Sequence, residues 1–334
     1  MAPEPLSPGA PVSRRHAPWL VDAQNVTVRF SKKRTLGAML ANAPASFRAV
    51  AEADLAIAPQ EVVGLVGESG SGKTTLGRTI LRLYEPDEGA VVFEGKDITH
   101  LRERQLRAVW RRMAVVFQDP LSSLNPRHTI HTSLATPLRI GARPGVREVN
   151  ARVRSALQRV GLPMDAEGRY PHELSGGQLQ RVALARALML SPALVIADEA
   201  VSKLDVSVRS QILNLFKDLQ ADLKISFLFI THDLHVANYI CDRVAVMFFG
   251  RIVETAPARE LFRAPRHPYT RALLATIDDR GADVVQARRG VVDPNAAGCI
   301  YQSQCPRRVA RCGEAHPPTA LVGAEHTLAC FNPG

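Results

Sequence analysis

A glycine-rich segment carries the clearest chemical signal in the sequence. Residues 67–74 read GESGSGKT, which fits the spacing G-x4-G-K-[ST] between an apolar run, EVVGLVG, and a helical pattern, TTLGRTILRLY. Glycines let the backbone turn so that consecutive N–H groups point at phosphate oxygens, and the following helix adds its positive end. A Gly/Ser-rich turn with a chance lysine is the alternative, which the strand-to-helix context disfavours. We predict a nucleotide site formed by Gly67, Ser69, Gly70, Ser71, Gly72, Lys73, Thr74 and Thr75.

Two acidic residues supply the second part of the predicted chemistry. Asp198 and Glu199 end the apolar run ALVIA, and the carboxyl ends of parallel strands are where ligands of α/β proteins bind. An acid pair alone more often caps a helix, but behind a phosphate-binding loop it indicates phosphoryl chemistry. We expect Lys73 to neutralise the β- and γ-phosphates, and Thr74 and Asp198 to hold Mg²⁺. Glu199 is expected to polarise the attacking water.

A second anion site is predicted at LSGGQ, residues 174–178, which opens the helical pattern LQRVALARALML. A serine and two glycines at a helix start can bind an anion, although the same pattern also suits an ordinary capped helix. One γ-phosphate does not need two such sites in one chain, whereas a head-to-tail dimer does. We therefore predict that the nucleotide on one copy is contacted by the partner's Ser175, Gly176, Gly177 and Gln178.

With these three elements in this order, residues 20–255 resemble the ATP-binding cassette family. The resemblance implies ATP and Mg²⁺ as cofactors, and it implies roles for further residues. Gln118, which ends the run AVVFQ, would sense the γ-phosphate and Mg²⁺, and His232 in FITHD would contact the γ-phosphate. Asp205 would be a dimer contact. Phe30 aligns with the aromatic residue that stacks on adenine, although a core position suits it equally well.

Two residues depart from the family pattern. Ala200 follows Glu199 where the family usually has proline, and Lys203 precedes the Leu-Asp pair where alanine is usual. Neither change removes a catalytic group. Lys203 would place a cation near the dimer seam, which would favour a particular partner over self-pairing.

The order of strand and helix patterns predicts an α/β fold. The resemblance makes this a P-loop cassette with a RecA-like parallel sheet core, an antiparallel β subdomain, a helical subdomain and a small Cys-rich C-terminal appendage. The predicted boundaries are a disordered tail at 1–18, the ATPase domain at 19–255 with the helical subdomain at about 119–176, and the appendage at 256–334.

Composition sets the expected location. The 334 residues are 46% hydrophobic and carry a net charge of +10, with no run of eighteen apolar residues and a Pro-rich N-terminus that lacks a signal core. A basic balance is compatible with nucleic acid, an anionic membrane surface or nucleotide phosphates. We expect a peripheral protein on the cytoplasmic face of the plasma membrane, held there by partners.

Further stretches resemble the di/oligopeptide importer subfamily: QDPLSSLNP at 118–126, YPHE at 170–173 and HPYTR at 267–271. The resemblance implies import of peptides, with nickel or glutathione as alternatives. Its partners would be a second ATPase subunit, identical or related, two membrane permease subunits and, indirectly, an extracytoplasmic binding protein.

Two other functions remain as alternatives. A soluble cassette ATPase acting on nucleic acid or ribosomes usually has two cassettes or a long coiled coil, so we expect no nucleic-acid partner. A non-catalytic regulatory partner would have a degenerate site, but Lys73, Gln118, Asp198, Glu199 and His232 are all present.

Four cysteines near the C-terminus form the last candidate site: Cys299, Cys305, Cys312 and Cys330. Four thiolates can hold zinc or an iron–sulfur cluster. The C-x5-C spacing is wide for zinc, Cys305 precedes a proline, and arginines at 307, 308 and 311 would offset negative charge. Subfamily members with such a tail resemble [4Fe-4S] proteins, so the cluster is the prediction, with zinc and free thiols as alternatives. Stapling a short appendage is its simplest role.

Overall fold

We describe the protein from a computed structural model, which describes residues 19–31, 46–140, 144–276, 292 and 297–334. The predicted tail at 1–18 lies outside these residues. The chain divides into two compact units, and each is treated by itself below. The first unit contains Met1–Ala58, Val63–His100 and His232–Gly334, and the second contains Pro59–Val62 and Leu101–Thr231.

The elements are numbered along the chain. The strands are β1 Val21–Ser31, β2 Ser46–Ile57, β3 Val62–Val66, β4 Glu88–Phe93, β5 Lys96–Asp97, β6 Met113–Val116, β7 Leu194–Asp198, β8 Ser226–Thr231, β9 Arg243–Phe248, β10 Arg251–Pro257, β11 Ala320–Leu321 and β12 Thr327–Leu328. The helices are α1 Lys73–Ile80, α2 Glu103–Val109, α3 Pro120–Ser123, α4 Ile130–Arg139, α5 Val146–Arg159, α6 Gly176–Leu188, α7 Val206–Leu223, α8 Leu234–Ile240, α9 Ala258–Arg263, α10 Pro268–Ala275 and α11 Arg311–Glu314.

An antiparallel sheet in the first unit has the strand order β2-β1-β4-β5. In β1, residues 21–23 and 26–28 are buried, and Gln24 and Asn25 between them are exposed. The register shifts between Ala23 and Val26, where Asn25 has φ +50°. A β-bulge of this kind interrupts the pairing locally and resets the register beyond it.

The second sheet of this unit surrounds the strand that leads into the glycine-rich loop. The buried strand β3 runs parallel to β9, with Val66 beside Val246. The β9–β10 hairpin, which the sequence predicts, continues the sheet. Two short strands from the C-terminal tail, β12 and β11, extend it beyond β10. The tail is therefore joined to the unit through backbone pairing, which its sequence does not reveal.

A buried polar cluster fixes the same tail to β10. His326 is fully buried, and its Nε2 and Nδ1 atoms lie 2.8 Å from the carboxylates of Glu254 and Glu260. The buried Glu254 also accepts the backbone N–H groups of Arg266 and His267, at 2.8 and 3.0 Å. Each polar group in this cluster has a partner, as a buried position requires.

The second unit contains three parallel strands in the order β8-β7-β6. Every residue of β7 and β8 is buried, which explains their continuous apolar sequences. Helix α7 covers them with Phe216, whose ring packs edge-on against Phe227 and Phe229 at centroid distances of 5.5 and 5.3 Å.

The stretch expected to be mostly helical contains α3, α4, α5 and two 3₁₀ turns, at Met164–Gly168 and Pro171–Glu173. The helix predicted at 146–160 is α5, which buries Val149, Val153 and Leu157 on one face. None of the helices within the described ranges is long and apolar enough to cross a membrane.

Candidate functional site

The predicted phosphate-binding loop lies between β3 and α1, where the sequence places it. Gly67 has φ +152° and Gly72 has φ +102°, and each approaches another backbone closely. A Cβ atom would lie 2.1 Å from the Met247 carbonyl oxygen at Gly67, and 2.2 Å from that of Ala49 at Gly72. Glycine is thus required at both positions by conformation and by space. Between them, residues 68–70 are exposed to solvent.

Lys73 is only 5% exposed and its ammonium group lies over this loop. Its Nζ donates to the carbonyl oxygens of Gly67 and Glu68, at 2.8 and 2.7 Å, and lies 3.3 Å from Ser71 Oγ. Thr74 and Thr75 begin α1 and are half-buried. The loop therefore combines a buried cation with backbone N–H groups at a helix start, which is the chemistry that an anionic phosphate requires.

Phe30 lies at the end of β1 and is half-buried. Its ring contacts Phe47 at a centroid distance of 5.8 Å and Tyr84, edge-on, at 5.5 Å. Phe47 is itself 40% exposed. Phe30 is thus part of an accessible aromatic cluster, which is compatible with base stacking, although that role stays a prediction.

In the second unit, Gln118 and Glu199 are in direct contact. Gln118 follows β6, Glu199 follows β7, and the Gln118 Nε2 atom donates to Glu199 Oε2 at 2.7 Å. The same amide lies 3.5 Å from Ser202 Oγ. Parallel strands thus bring an amide and a carboxylate to one sheet edge, beside the buried Asp198.

Glu199 has a constrained backbone. Its φ is +49°, which is unusual for a residue other than glycine, and its N–H donates to the carbonyl oxygen of Ile230 at 2.9 Å. Ser202 donates its hydroxyl to the Glu199 carbonyl oxygen at 2.9 Å. The turn after β7 therefore fixes the Glu199 backbone through both its N–H and its carbonyl oxygen. Backbone strain of this kind is common at functional sites.

Lys203, which departs from the family pattern, pairs with Asp119. Its Nζ lies 3.4 Å from Asp119 Oδ2, while Asp119 Oδ1 accepts the N–H groups of Leu121 and Ser122 and caps α3. The N–H of Ser122 and the Lys203 ammonium help to hold the pKa of Asp119 below its ordinary value. The sequence analysis missed this pair, which joins the loops that carry Gln118 and Glu199.

The loop at 174–178 has the predicted capped geometry. Ser175 Oγ accepts the Gln178 N–H at 3.3 Å, and Gln178 Oε1 accepts the Ser175 N–H at 3.0 Å. Ser175 and Gly176 are exposed. A Cβ atom at Gly177 would lie 2.6 Å from Val208 Cγ1, so this glycine permits close packing against α7.

The other predicted site residues lie at element ends. His232 directly follows β8 and is exposed. Asp205 caps α7 by accepting the Val208 N–H at 2.9 Å, and this hydrogen bond is the main cause of its lowered pKa. Their predicted roles, at the γ-phosphate and at a dimer contact, stay predictions.

The four tail cysteines are near enough to affect one another electrostatically. Cys299 and Cys312 are buried, and the Cys299 N–H donates to the Cys312 carbonyl oxygen at 2.8 Å. Burial raises the pKa of Cys299 and Cys305, and raises that of Cys330 to about 11, with small contributions from neighbouring thiols. Within the described ranges, however, no three His, Cys, Asp or Glu side chains converge as a metal site requires. The predicted cluster is therefore not confirmed, although the donor set suits it in kind.

A cavity of about 980 Å³ in the second unit was not predicted from the sequence. None of the described residues that line it is acidic. Burial lowers the pKa of Arg186, whose Nη1 donates to the Ser123 carbonyl oxygen. Ser133 is 6% exposed, and its hydroxyl has no hydrogen-bond partner among the described residues. The other lining residues are Arg107, Trp110, Arg111, Asn125, His128, Thr136, Pro137, Ile140 and Leu190.

Two family models match the chain. The model described as ABC transporter matches residues 50–202, and that described as oligopeptide/dipeptide transporter, C-terminal region, matches residues 253–312. The second match includes the HPYTR stretch and three of the four tail cysteines.

Several known proteins are similar to this chain. A Brucella ovis protein provisionally named a peptide import ATP-binding protein is 47% identical over 82% of this chain and 89% of its own length. The oligopeptide transport ATP-binding protein AppF of Bacillus subtilis is 44% identical over 81% and 85%. The glutathione import ATP-binding protein GsiA of Shigella dysenteriae is 49% identical over 76% of this chain and 40% of GsiA.

Among solved structures, a dimeric ATP-binding cassette in a post-hydrolysis state, bound to ADP and Pi, is similar in fold. It superposes with a TM-score of 0.63 at 28% sequence identity, over 72% of this chain and 99% of that one.

The glycine geometry generates a stability prediction. Gly72→Ala should destabilise the chain by about 3 kcal/mol, since it combines a left-handed backbone with a clash against a carbonyl oxygen. Gly70→Ala is the matched control, because Gly70 also has a positive φ, of +81°, but has no atom within 4 Å of the added Cβ. We expect it to cost about 1 kcal/mol. Urea unfolding of both variants measures the difference in the free energy of unfolding. Equal losses of stability would contradict the predicted clash at Gly72.

Proposed function

Since the chain belongs to the ATP-binding subunits of ABC transporters, we propose that it hydrolyses ATP to power import of di- or oligopeptides across the plasma membrane. Membership of the family confirms the predicted α/β cassette fold and the predicted ATPase activity. The observation that carries the proposal is that one chain holds both the buried Lys73 of the glycine-rich loop and the Gln118–Glu199 contact. The C-terminal match at 253–312 supports a peptide substrate.

The proposed catalytic roles follow from the chemistry of each residue. The N–H groups of the glycine-rich loop and the Lys73 ammonium bind the phosphates, and the Thr74 hydroxyl holds Mg²⁺ with Asp198 and Gln118. Glu199 accepts the proton of the attacking water, with His232 beside the γ-phosphate. The Gln118 amide donates to one oxygen of Glu199 and so helps to orient this carboxylate.

We propose that two such domains act together. The exposed start of α6 would present the Ser175 hydroxyl and the Gly176 N–H to a phosphate on a partner ATPase subunit. A monomer would then hydrolyse ATP poorly, because each chain supplies half of each site. Identical and related partner subunits are both compatible with this arrangement.

The cavity in the second unit is the proposed contact with the permease. Its arginines, including the half-buried Arg186, and the Ser133 hydroxyl are complementary to carboxylates, while Trp110 and the 74% exposed Ile140 offer apolar surface. We therefore propose as its occupant a cytoplasmic segment of a permease subunit that carries acidic and apolar side chains. This contact would hold the chain at the cytoplasmic face of the membrane. The extracytoplasmic binding protein would act at the opposite face.

Glutathione import is the second candidate, because GsiA is a glutathione import ATP-binding protein and shares 49% identity with this chain. The substrate of such a system contacts the other subunits, so this difference does not alter the roles proposed above. An ATPase acting on nucleic acid receives no support from any relative reported above.

The cysteine tail is proposed to bind a [4Fe-4S] cluster. Cys299, Cys305, Cys312 and Cys330 would be its ligands, and the arginines at 307, 308 and 311 would offset its negative charge. A bound cluster would tie the tail segments together, since the described tail has little secondary structure. Zinc is the alternative occupant.

The role of Glu199 gives the decisive test. Glu199→Gln keeps the size of the side chain and should leave ATP affinity intact, while turnover falls by about 10²- to 10⁴-fold because the general base is lost. Phosphate release by the purified full chain, with ATP binding measured in parallel, provides the test. Asp222→Asn, an exposed residue of α7, is the control. Undiminished turnover in Glu199→Gln would refute the assignment.

Permease docking is tested by charge reversal. Arg111→Glu places an acid at the cavity and should reduce recovery of the multispanning permease subunits with the chain from solubilised membranes. Arg104→Glu is the control, because Arg104 is exposed on α2, just before the turn that carries Arg111, and does not line the cavity. Equal recovery in both variants would show that the permease docks elsewhere.

Anaerobic purification tests the cluster. We expect iron, sulfide and visible absorption in the wild-type chain, all lost in Cys299→Ser and retained in Cys241→Ala, which lies outside the tail. Zinc found without iron would show that the cysteines bind zinc and would refute the proposed cluster. A chain purified without any metal would refute the cluster and show that the cysteines are free thiols.

A further inference from the structure

The HPYTR stretch at 267–271 has no role in the function proposed so far. It begins α10, with Pro268 at the first helical position and His267 as the cap. His267 Nδ1 accepts the N–H of Tyr269 at 3.0 Å. His267 is buried, and this lowers its pKa to about 3, so the ring stays neutral and keeps its acceptor at physiological pH. The cap thus fixes the orientation of Tyr269.

Tyr269 reaches the phosphate-binding loop. It is only 2% exposed, and its Oη atom accepts the backbone N–H of Glu68 at 3.2 Å. Glu68 is the second residue of the loop, and it is followed by exposed residues. On the other side of this stretch, the Ser71 carbonyl oxygen accepts the Gly250 N–H at 2.8 Å. The exposed part of the loop is therefore held from both sides.

Two aromatic rings support Tyr269 from behind. Phe248, at the end of β9, lies at a centroid distance of 4.4 Å from its ring, and Tyr301 lies at 5.5 Å. Phe248 and Tyr301 also contact each other edge-on, at 5.2 Å. Tyr301 is buried and lies two residues after Cys299. A continuous packed contact thus leads from the cysteine tail to the phosphate-binding loop.

We propose that Tyr269 is a positioning residue for ATP, and that the C-terminal tail, through Tyr301, holds its hydroxyl group against the loop. This inference rests on the proposed function of the loop as the ATP site. The Tyr269 hydrogen bond restricts the loop backbone before ATP arrives, so less conformational entropy is lost on binding. ATP affinity would therefore depend on the tail through the Tyr301–Tyr269 contact.

The proposal predicts which kinetic constant changes. Tyr269 acts on the loop that binds the phosphates in the ground state, and it does not act on Glu199. Loss of its hydroxyl should therefore raise KM and the ATP dissociation constant while kcat stays the same. A general loss of folding would lower the active fraction and hence the apparent kcat instead.

The test uses Tyr269→Phe, which removes the acceptor and keeps the ring. In the full chain carrying Glu199→Gln, we expect ATP to bind about two- to tenfold more weakly, the range of one net hydrogen bond. Tyr301→Phe is the matched control, because it keeps both the ring and the Tyr269 bond to the loop. Tyr301→Ala removes the supporting ring and should weaken ATP binding as Tyr269→Phe does.

Amide hydrogen exchange gives a second measurement that needs no turnover. The loop peptide containing Glu68 should exchange faster in Tyr269→Phe and in Tyr301→Ala, and at the wild-type rate in Tyr301→Phe. Unchanged affinity and exchange in Tyr269→Phe would overturn the proposal, and so would an equal loss in Tyr301→Phe. Failure of the parent chain to bind ATP would instead refute the proposed function of the loop.

Discussion

The close approach of backbones at the phosphate-binding loop is the constraint on which the first unit depends. Gly67 lies against the Met247 carbonyl oxygen on β9, and Gly72 lies against that of Ala49 on β2, with no room for a Cβ atom at either. The loop is therefore enclosed by strands of both sheets of this unit, and a shift of either strand would move the loop. Precise placement of N–H groups at an anion requires such rigidity, because a loosely held loop would lose entropy on binding.

The second unit meets a similar requirement with side chains. Gln118 and Glu199 come from adjacent parallel strands, and their contact is held by a left-handed turn at Glu199 and by the Lys203–Asp119 pair. That pair is exposed, so it adds little to stability. Its effect is on geometry, since it joins the two loops that carry Gln118 and Glu199. Lys203, interpreted from sequence as a cation for a partner subunit, is thus satisfied within its own chain.

Sequence reasoning succeeded where chemistry is encoded by neighbours in the chain. The glycine-rich loop, the acids that end β7 and the capping box at Ser175 each depend on a few consecutive residues, and the structure has each of these local geometries. The missed features depend on distant residues. Tyr269 and Glu68 are separated by 201 positions, and Lys203 and Asp119 by 84. No local periodicity or motif reports such pairs, because the fold alone brings them together. The cavity was missed for the same reason.

The position of the tail changes how its cysteines should be understood. From sequence alone, a stapling role was the simplest, because the cysteines lie far along the chain from the glycine-rich loop. In the structure β12 pairs with β10, and the buried His326 lies between Glu254 and Glu260, so the tail is part of the packed unit. Tyr301 is then held in place by the same packing that contains Cys299. Protein interiors are close-packed and transmit strain. A rearrangement of the cysteines would therefore also shift Tyr269, because its ring packs against Tyr301. The predicted stapling of the tail and the proposed positioning of the loop would therefore be one structural role.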